Sequence, residues 1–318
     1  MRRPWLALLL FAASAAAFAQ NFPNRPMRIV VPSVAGSSPD IRARQIAAKL
    51  SEQFGQPVIV ENRPGANGLI AAREAVKAGP DGYTLFLALI NNAIFDVLKP
   101  DPCCRLNREL MPVSRFTMTP LVMVVHPGLA ARTLKEYLEL AKAKPGELTY
   151  AAGGTGSISQ LVGQSIRSQA GVRLLEVPYK GVNAELPDLQ SGQVMTAFVV
   201  PQVVLAALKA GKLRALGVTS RQRLAILPDV PTLAEAGLAG IEALAWNGIF
   251  VPAGTPAAVV ETLHRALVRA YRSPEIEAQL RATGSYAAAD SPEEFAAFVR
   301  EENEKWSRVI RSAGIRPD

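Results

Sequence analysis

The sequence predicts an α/β protein of two domains with largely parallel sheets, and three observations lead to this fold class. Short runs rich in Val, Ile and Leu alternate along the chain with amphipathic stretches of helical spacing. Two strand–loop–helix units of matching design stand in separate halves of the chain. A chain of 318 residues that is 49% hydrophobic and 19% charged is also large enough to bury two substantial cores.

Residues 1–19 are predicted to be a cleavable signal peptide. Arg2 and Arg3 supply a positive start, an apolar stretch follows, and an Ala-Phe-Ala cleavage motif ends at Ala19. A membrane-spanning helix is the alternative, but the apolar run is shorter than the roughly 20 residues that a span needs. The sequence therefore predicts a secreted protein that is not embedded in the membrane, with residues 20–318 as its mature chain.

The predicted strands alternate with predicted helices over the whole mature chain. The strands are expected at residues 27–31, 58–60, 84–89, 121–125, 148–151, 174–177, 194–200, 215–218 and 248–251. Apolar residues at helical spacing follow the first and fifth of these strands, and Gly55 and Gly171 are expected to end the two helices. Three further helices are expected near the C-terminus, at residues 257–271, 274–282 and 292–313.

Each of the two matching units carries a Gly- and Ser-rich loop that ends at a helix N-terminus. Such an end favours an anion because its N–H groups are unpaired and its dipole is positive. Capping boxes are predicted for Ser37 with Asp40 and for Ser157 with Gln160. The amides of the preceding Gly and Ala residues are then expected to be free and to point into a cleft.

A loop of this kind often only connects a strand to a helix, so the presence of two such units is what indicates function. Neither loop contains Lys or Arg, and an anion would be held by amides, hydroxyls and water. Asp40 is expected to be a cap rather than a ligand contact, since its carboxylate would repel an anion. Together the two loops indicate a binding protein with two anion cradles.

Other functional classes find little support in the composition. The formal charge is +8, but Lys and Arg are scattered, which disfavours a nucleic-acid partner. With two histidines, His126 and His264, no metal site is predicted. Cys103 and Cys104 are adjacent, and a vicinal disulfide, a link between two chains and free thiols are all open.

Enzymatic function is also disfavoured. Gly154 and Gly156 resemble part of a dinucleotide loop, and Glu176 follows at about the 20-residue distance of a ribose-binding acid. However, Ser159 occupies the third glycine position of that motif. No G-x-S-x-G elbow is present to support a serine hydrolase. The chain is predicted to be no enzyme and to need no cofactor.

Several short segments, taken in order, resemble the periplasmic substrate-binding receptors of tripartite tricarboxylate transporters, also called the Bug family. They lie at residues 30–40, 61–68, 81–85, 144–146, 177–181, 227–232, 235–237, 246–248 and 252–256. The resemblance implies a two-domain periplasmic-binding-protein fold of type II, with two crossovers and a ligand cleft between the domains. Domain 1 would combine residues 20–122 with 246–318, and domain 2 would be residues 123–245.

The resemblance also implies a function and a set of site residues. A receptor of this kind captures a small carboxylate and delivers it to the membrane subunits of the transporter, and we expect it to be a monomer. A ligand sensor that serves a signalling receptor and, with less support, a secreted hydrolase are the alternatives. The residues expected to bind the ligand are Ser33, Val34, Ala35, Gly36, Ser37, Ser38, Asp40, Asn91, Asn92, Gly153, Gly154, Thr155, Gly156, Ser157, Gln160, Tyr179, Met195 and Val199.

Some of these residues have a second interpretation, and some depart from the family pattern. Asn91 and Asn92 could equally cap the next helix, and Tyr179 could pack at a strand end. The family usually has other residues at five positions, which here are Ser33, Ser37, Gln160, Met195 and Val199. Since Asp is common at the last two, we expect a more apolar pocket wall and a carboxylate ligand with an apolar body rather than an amino acid.

Overall fold

The computed structural model describes residues 22–99, 103–179 and 182–316, so the predicted signal peptide lies outside the described residues. The strands are β1 (Met27–Val31), β2 (Val58–Asn62), β3 (Thr84–Leu89), β4 (Leu110–Pro120), β5 (Val122–Val125), β6 (Thr149–Ala152), β7 (Leu175–Pro178), β8 (Thr196–Val199), β9 (Arg214–Val218), β10 (Leu244–Pro252) and β11 (Tyr286–Ala287). The helices are α1 (Ser38–Phe54), α2 (Leu69–Lys77), α3 (Ile90–Leu98), α4 (Leu134–Ala143), α5 (Ile158–Ala170), α6 (Val182–Ser191), α7 (Pro201–Lys209), α8 (Ala257–Tyr271), α9 (Pro274–Ala282) and α10 (Pro292–Ala313).

The strands form two separate sheets, and both sheets are mixed. The first has the order β11-β4-β10-β3-β1-β2, and the second has the order β7-β6-β8-β5-β9. Parallel pairs join β1 to β2 and β3, and β6 to β7 and β8, whereas β4, β5, β9, β10 and β11 pair antiparallel. The prediction of largely parallel sheets is therefore wrong. Leu121 alone joins β4 of the first sheet to β5 of the second, and residues 219–243 lead back from β9 to β10 without a helix. Parallel neighbours need a longer crossover connection, usually a helix, which these two passages lack.

Two strands, β4 and β11, were not predicted. The segment that forms β4 contains Pro112, Arg115 and Pro120, which weaken a strand pattern in the sequence. It is nevertheless a strand because it pairs along its whole length with β10, with two register shifts in the ladder. The chain leaves the first sheet at residue 120 and returns to it at residue 244, while the division into two domains stays a prediction.

The helix ends follow local sequence signals. Gly55 and Gly171 take left-handed conformations, with φ of 63° in both cases, and they end α1 and α5 as predicted. In the parallel part of the first sheet, Val30 and Phe86 are fully buried because helices cover both faces. Cys103 and Cys104 form a disulfide with each other. Within the described ranges, no helix has both the length and the apolar character required to cross a bilayer.

The carboxyl ends of the parallel strands in the two sheets face each other. Gln202, in the first turn of α7, donates from its Nε2 atom to the Oγ atom of Ser38 in α1, over 3.1 Å. On the same side, a Cβ atom placed on Gly156 would lie 3.0 Å from the Cδ2 atom of Leu98 in α3. The two sheets with their helices are two lobes, and the loops after β1 and β6 lie between them.

Candidate ligand-binding cleft

The first loop, residues 33–38, is held by the carboxylate of Asp40. This side chain is buried, and its Oδ2 atom accepts hydrogen bonds from the N–H of Gly36 at 2.8 Å and from Arg44 at 3.0 Å. Its Oδ1 atom accepts from the side-chain amide of Asn62 at 2.9 Å. The hydrogen bond from Arg44 is the largest of the effects that lower the pKa of Asp40 to about 2, although burial opposes them. An ionised carboxylate thus ties the loop to α1 and β2.

The predicted capping box of Ser37 with Asp40 is wrong. Ser37 occupies the N-cap position, but its hydroxyl donates to the carbonyl oxygen of Val34 at 2.7 Å instead of accepting from the helix. Asp40 accepts the amide of Gly36 rather than that of Ser37. Because a buried carboxylate needs hydrogen-bond donors, Asp40 accepts the amide of Gly36, which was expected to be free.

The second loop, residues 153–157, has the predicted cap at Ser157 but a different partner for Gln160. The Oγ atom of Ser157 accepts the amide of Gln160 at 3.2 Å, as expected of an N-cap. The Oε1 atom of Gln160 accepts the amide of Gly156 at 2.8 Å, so it does not return to Ser157. The amide of Ser157 instead donates to the carbonyl oxygen of Gly154 at 3.0 Å.

Fewer amides are available to a ligand than the sequence predicted. Gly153 donates to the Oγ atom of Ser159 at 3.0 Å, so its amide is also used within the loop. In the part of the chain that the structure describes, the amides of Ala35 and Gly154 donate no hydrogen bond. Each of these two amides belongs to one of the opposing loops, and each lies next to a helix N-terminus. They are the amides of the loop Gly and Ala residues that remain available to an anion, since those of Gly36, Gly153 and Gly156 are used.

At the start of α3, Asn92 acts as a cap. Its side chain is buried, its Oδ1 atom accepts the amide of Leu89 at 2.8 Å, and its Nδ2 atom donates to the carbonyl oxygen of Asn67 at 3.3 Å. These bonds correspond to the capping interpretation of Asn92. The side-chain amide of Asn92 is therefore used in hydrogen bonds within the first lobe.

The neighbouring Asn91 lies beside the first loop. It lines a cavity of about 380 Å³ together with Ser33 and residues 65–68. Because Asn91 and Leu98 are seven residues apart on one helix, they share a face. Leu98 lies against Gly156, so this face of α3 is turned toward the second loop.

Tyr179 follows β7 at the same edge as the second loop, but its side chain is held within its own lobe. Its amide donates to the carbonyl oxygen of Ala152 at 2.7 Å, and its hydroxyl donates to Asp188 at 2.8 Å. Burial, and then the Asp188 carboxylate, raise the pKa of Tyr179 to about 12. This arrangement corresponds to the packing interpretation of Tyr179.

The structure does not bring Met195 to the cleft, and this corrects the predicted pocket wall. Met195 precedes β8 at the opposite edge of the sheet, where its amide donates to Thr149 and its carbonyl oxygen accepts the amide of His126. Val199 is at the correct edge, but its side chain is buried in the core of the second sheet. At roughly 3.3 Å per residue along a strand, the two positions lie about 13 Å apart.

Gln202 is a cleft residue that the sequence did not point to. It lies three residues after the end of β8, and it reaches across to Ser38 of the first lobe. The signal that could have found it is Pro201, a typical first residue of a helix, directly after a predicted strand. Over residues 22–99, 103–179 and 182–316, no group of three or more His, Cys, Asp or Glu side chains could hold a metal ion.

Two α/β lobes whose loop-rich edges face each other, with a helix N-terminus on either side, define a two-lobed solute-binding protein. The sequence matches the tripartite tricarboxylate transporter family receptor over residues 42–315, and the chain belongs to that family. The family and the fold predicted from the sequence motifs are thereby confirmed.

Relatives and solved structures agree with this assignment. A protein of Pseudomonas sp. (strain P51), described as the UPF0065 protein in the tcbD-tcbE intergenic region, is 36% identical over 290 residues, which are 91% of this chain and 86% of that protein. The structure of R. palustris Rpa4515 with adipate has a TM-score of 0.81 at 31% identity, covering 93% of this chain and all of that one. MatC from Rhodopseudomonas palustris with bound malate has a TM-score of 0.78 at 31% identity, covering 91% of this chain and all of that one.

Proposed function

We propose that this protein captures a small aliphatic carboxylate between its two loops and delivers it to the membrane subunits of a tripartite tricarboxylate-type transporter. The observation that carries the proposal is the pair of available amides, Ala35 and Gly154, on loops that face each other across the cleft. Similar proteins described with adipate and with malate support the carboxylate class.

Binding would rest on neutral donors. Each loop leads into a helix whose N-terminal dipole favours a negative charge. Arg44, the cation close to the first loop, is already paired with Asp40 at 3.0 Å. Because the loops belong to different lobes, a ligand that contacts both stabilises the closed arrangement. Such a site holds an anion firmly enough for capture and still allows release.

The residues near the loops also indicate which chemical groups the rest of the ligand carries. The apolar-body hypothesis depended on Met195 and Val199, and neither side chain lines the cleft. The cavity beside the first loop is instead lined by Ser33, Asn67 and Asn91, which offer neutral polar groups. We therefore propose a ligand with a second polar group, and aliphatic dicarboxylates are the first compounds to test.

The finer parts of the proposal concern location and assembly. We propose that residues 1–19 direct the chain to the periplasm, that residues 20–122 and 246–318 form one domain, and that residues 123–245 form the other. The mature protein would act as a monomer that binds its ligand without turnover. Light scattering, and incubation of the ligand with purified protein followed by mass spectrometry, would test these two points.

A thermal-shift screen of refolded, ligand-stripped protein tests the main proposal. The compounds are mono-, di- and tricarboxylates, amino acids and neutral sugars, with adipate and malate as named probes. A ligand at 100 times its Kd adds about 2.7 kcal/mol to the free energy of unfolding, which moves the melting temperature by several degrees. The dimethyl esters of the active acids are matched controls, because they keep the shape and remove the charge. A shift with a sugar or an amine and none with any carboxylate would overturn the proposal.

Delivery to a transporter needs a separate test. Deletion of the gene should abolish uptake of the radiolabelled ligand, and the intact gene should restore it. Uptake that continues unchanged, together with loss of a transcriptional response to the ligand, would favour the sensor function instead.

A further inference from the structure

A partly buried hydrogen-bond network lies directly behind the second loop and centres on Glu176 of β7. The carboxylate of Glu176 accepts hydrogen bonds from the hydroxyl of Tyr150 at 2.6 Å, from the Nε2 atom of Gln160 at 2.7 Å and from the Nε2 atom of Gln164 at 3.0 Å. Tyr150 is fully buried, and both Gln160 and Gln164 belong to α5, the helix that follows the second loop. Glu176 thus joins β6, β7 and α5.

The donors of this network have fixed roles. Burial, followed by the Glu176 carboxylate, raises the pKa of Tyr150, so the phenol keeps its proton and donates. The Oε1 atom of Gln164 accepts from Arg167 at 2.9 Å, which directs its amide nitrogen toward Glu176. The carboxylate therefore accepts from three neutral donors, and no Lys or Arg of the described residues forms a salt bridge with it.

Glu176 also determines which way the side-chain amide of Gln160 points. A carboxylate is an acceptor only, so the nitrogen of Gln160 must face Glu176. The oxygen of Gln160 must then face the other way, where it accepts the amide of Gly156 at 2.8 Å. If the side-chain amide of Gln160 were flipped, its nitrogen would face the N–H of Gly156 and its oxygen would face the carboxylate of Glu176. Neither hydrogen bond could then form.

We propose that Glu176 is a positioning residue of the ligand site: through Gln160 it holds the peptide of Gly156 and so sets where the second loop presents the amide of Gly154. The inference rests on the proposed function, since it concerns the same cleft. Glu176 does not contact the ligand. Its negative charge behind an anion site would by itself weaken binding, so a positioning role and a purely electrostatic role predict opposite effects of removing it.

The first test compares two variants of the same helix, Gln160→Leu and Gln164→Leu. Both remove a donor to Glu176, but only Gln160 touches the loop. Hydrogen exchange of peptides covering residues 153–157 is measured in the ligand-free protein. We expect exchange in Q160L to be about tenfold faster than in the wild type, and exchange in Q164L to change by less than about twofold. Equal exchange in both variants would overturn the proposal.

The second readout is affinity for adipate and malate by calorimetry. Q160L should bind about tenfold more weakly, while Q164L should stay within about twofold of the wild type even if both variants melt at a lower temperature. A merely structural role would lower both melting temperatures and leave both affinities alike. Tighter binding by Q160L would show that the freed amide of Gly156 serves the ligand, and it would also overturn the proposal.

The third test removes the charge and keeps the shape, with Glu176→Gln compared with Glu147→Gln. Glu147 is an exposed residue of the same lobe that pairs with Lys144 at 3.3 Å, so it controls for net charge. Weaker binding and faster loop exchange in E176Q alone support positioning, whereas tighter binding in E176Q supports a purely electrostatic role and overturns the proposal. If wild-type protein binds no carboxylate, the proposed function fails, and the exchange data still decide whether Glu176 positions the loop.

Discussion

The first and second loops share one sequence design, but different chemistry holds each of them in place. The first loop is held by Asp40, an ionised side chain of the following helix, which takes the amide of Gly36 directly. The second loop is held by Gln160, a neutral side chain that accepts the amide of Gly156. The orientation of Gln160 depends in turn on its hydrogen bond to Glu176 of β7. The shared pattern therefore specifies where a loop turns, while its anchor depends on which residues the fold brings beside it.

The largest expected effect follows from removing the charge of the first anchor. In Asp40→Asn, one donor among Gly36, Arg44 and Asn62 would face an amide nitrogen instead of an oxygen. Because hydrogen bonds to a charged buried group are strong, we expect the free energy of unfolding to fall by roughly 3 kcal/mol. Urea denaturation measures this change. Glu52→Gln on the exposed side of the same helix is the control and should stay within about 0.5 kcal/mol of the wild type.

The same anchor predicts a pH dependence of stability. The pKa of Asp40 is about 2 in the folded protein and lies near 3.9 in an unfolded chain. A lowered pKa stabilises the folded state fully above the unfolded value, and this contribution is lost as the pH falls from about 4 toward 2. In Asp40→Asn this part of the pH–stability curve should be flatter. An identical slope in wild type and variant would show that Asp40 does not carry the effect.

Gly36→Ala and Gly156→Ala compare the two loops at matched backbone positions. Both glycines have positive φ, 78° and 75°, so each alanine should destabilise the fold by about 1 kcal/mol. The new Cβ atom meets nothing within 4 Å at Gly36, but it lies 3.0 Å from Leu98 of the other lobe at Gly156. We expect only Gly156→Ala to weaken carboxylate binding, by about fivefold in calorimetry. Addition of Leu98→Ala should restore part of the affinity, and equal losses in both glycine variants would exclude a specific contact between the lobes.

A smaller effect is expected from the contact between Gln202 and Ser38. This single hydrogen bond of 3.1 Å is exposed, so its loss should weaken binding by about threefold and leave the melting temperature nearly unchanged. Gln202→Ala, Ser38→Ala and the double variant form a cycle. Less-than-additive losses are expected if the contact supports closure, whereas additive losses would mean that the two residues act independently.

The smallest effect is expected at Met195. The sequence placed Met195 and Asn91 in the same site, and the structure separates them, with Asn91 beside the first loop and Met195 at the far edge of its sheet. Met195→Ala should therefore leave the affinity unchanged, while Asn91→Ala, as the positive control, should reduce it. A clear loss of affinity in the Met195 variant would contradict the placement of the site.

Much of the fold was predictable because its signals are local. The spans of β1 and β3 were predicted to the residue, and Gly55 and Gly171 end their helices as expected. Strand β4 was missed because its prolines and polar residues weaken the strand pattern in the sequence. It forms nevertheless because it pairs with β10. Strand direction was also missed, since it depends on how the chain passes between sheets.

The sequence by itself determined that two loops of one design end at helix N-termini, because turns, caps and left-handed glycines involve only residues a few positions apart. The family followed from motifs of the same local kind. Only the tertiary structure decided which amides stay available, since Asp40, Gln160 and Ser159 occupy their neighbours. It also excluded Met195 and brought Gln202 to the cleft. Strand order and direction set these positions, and they depend on pairing between distant segments.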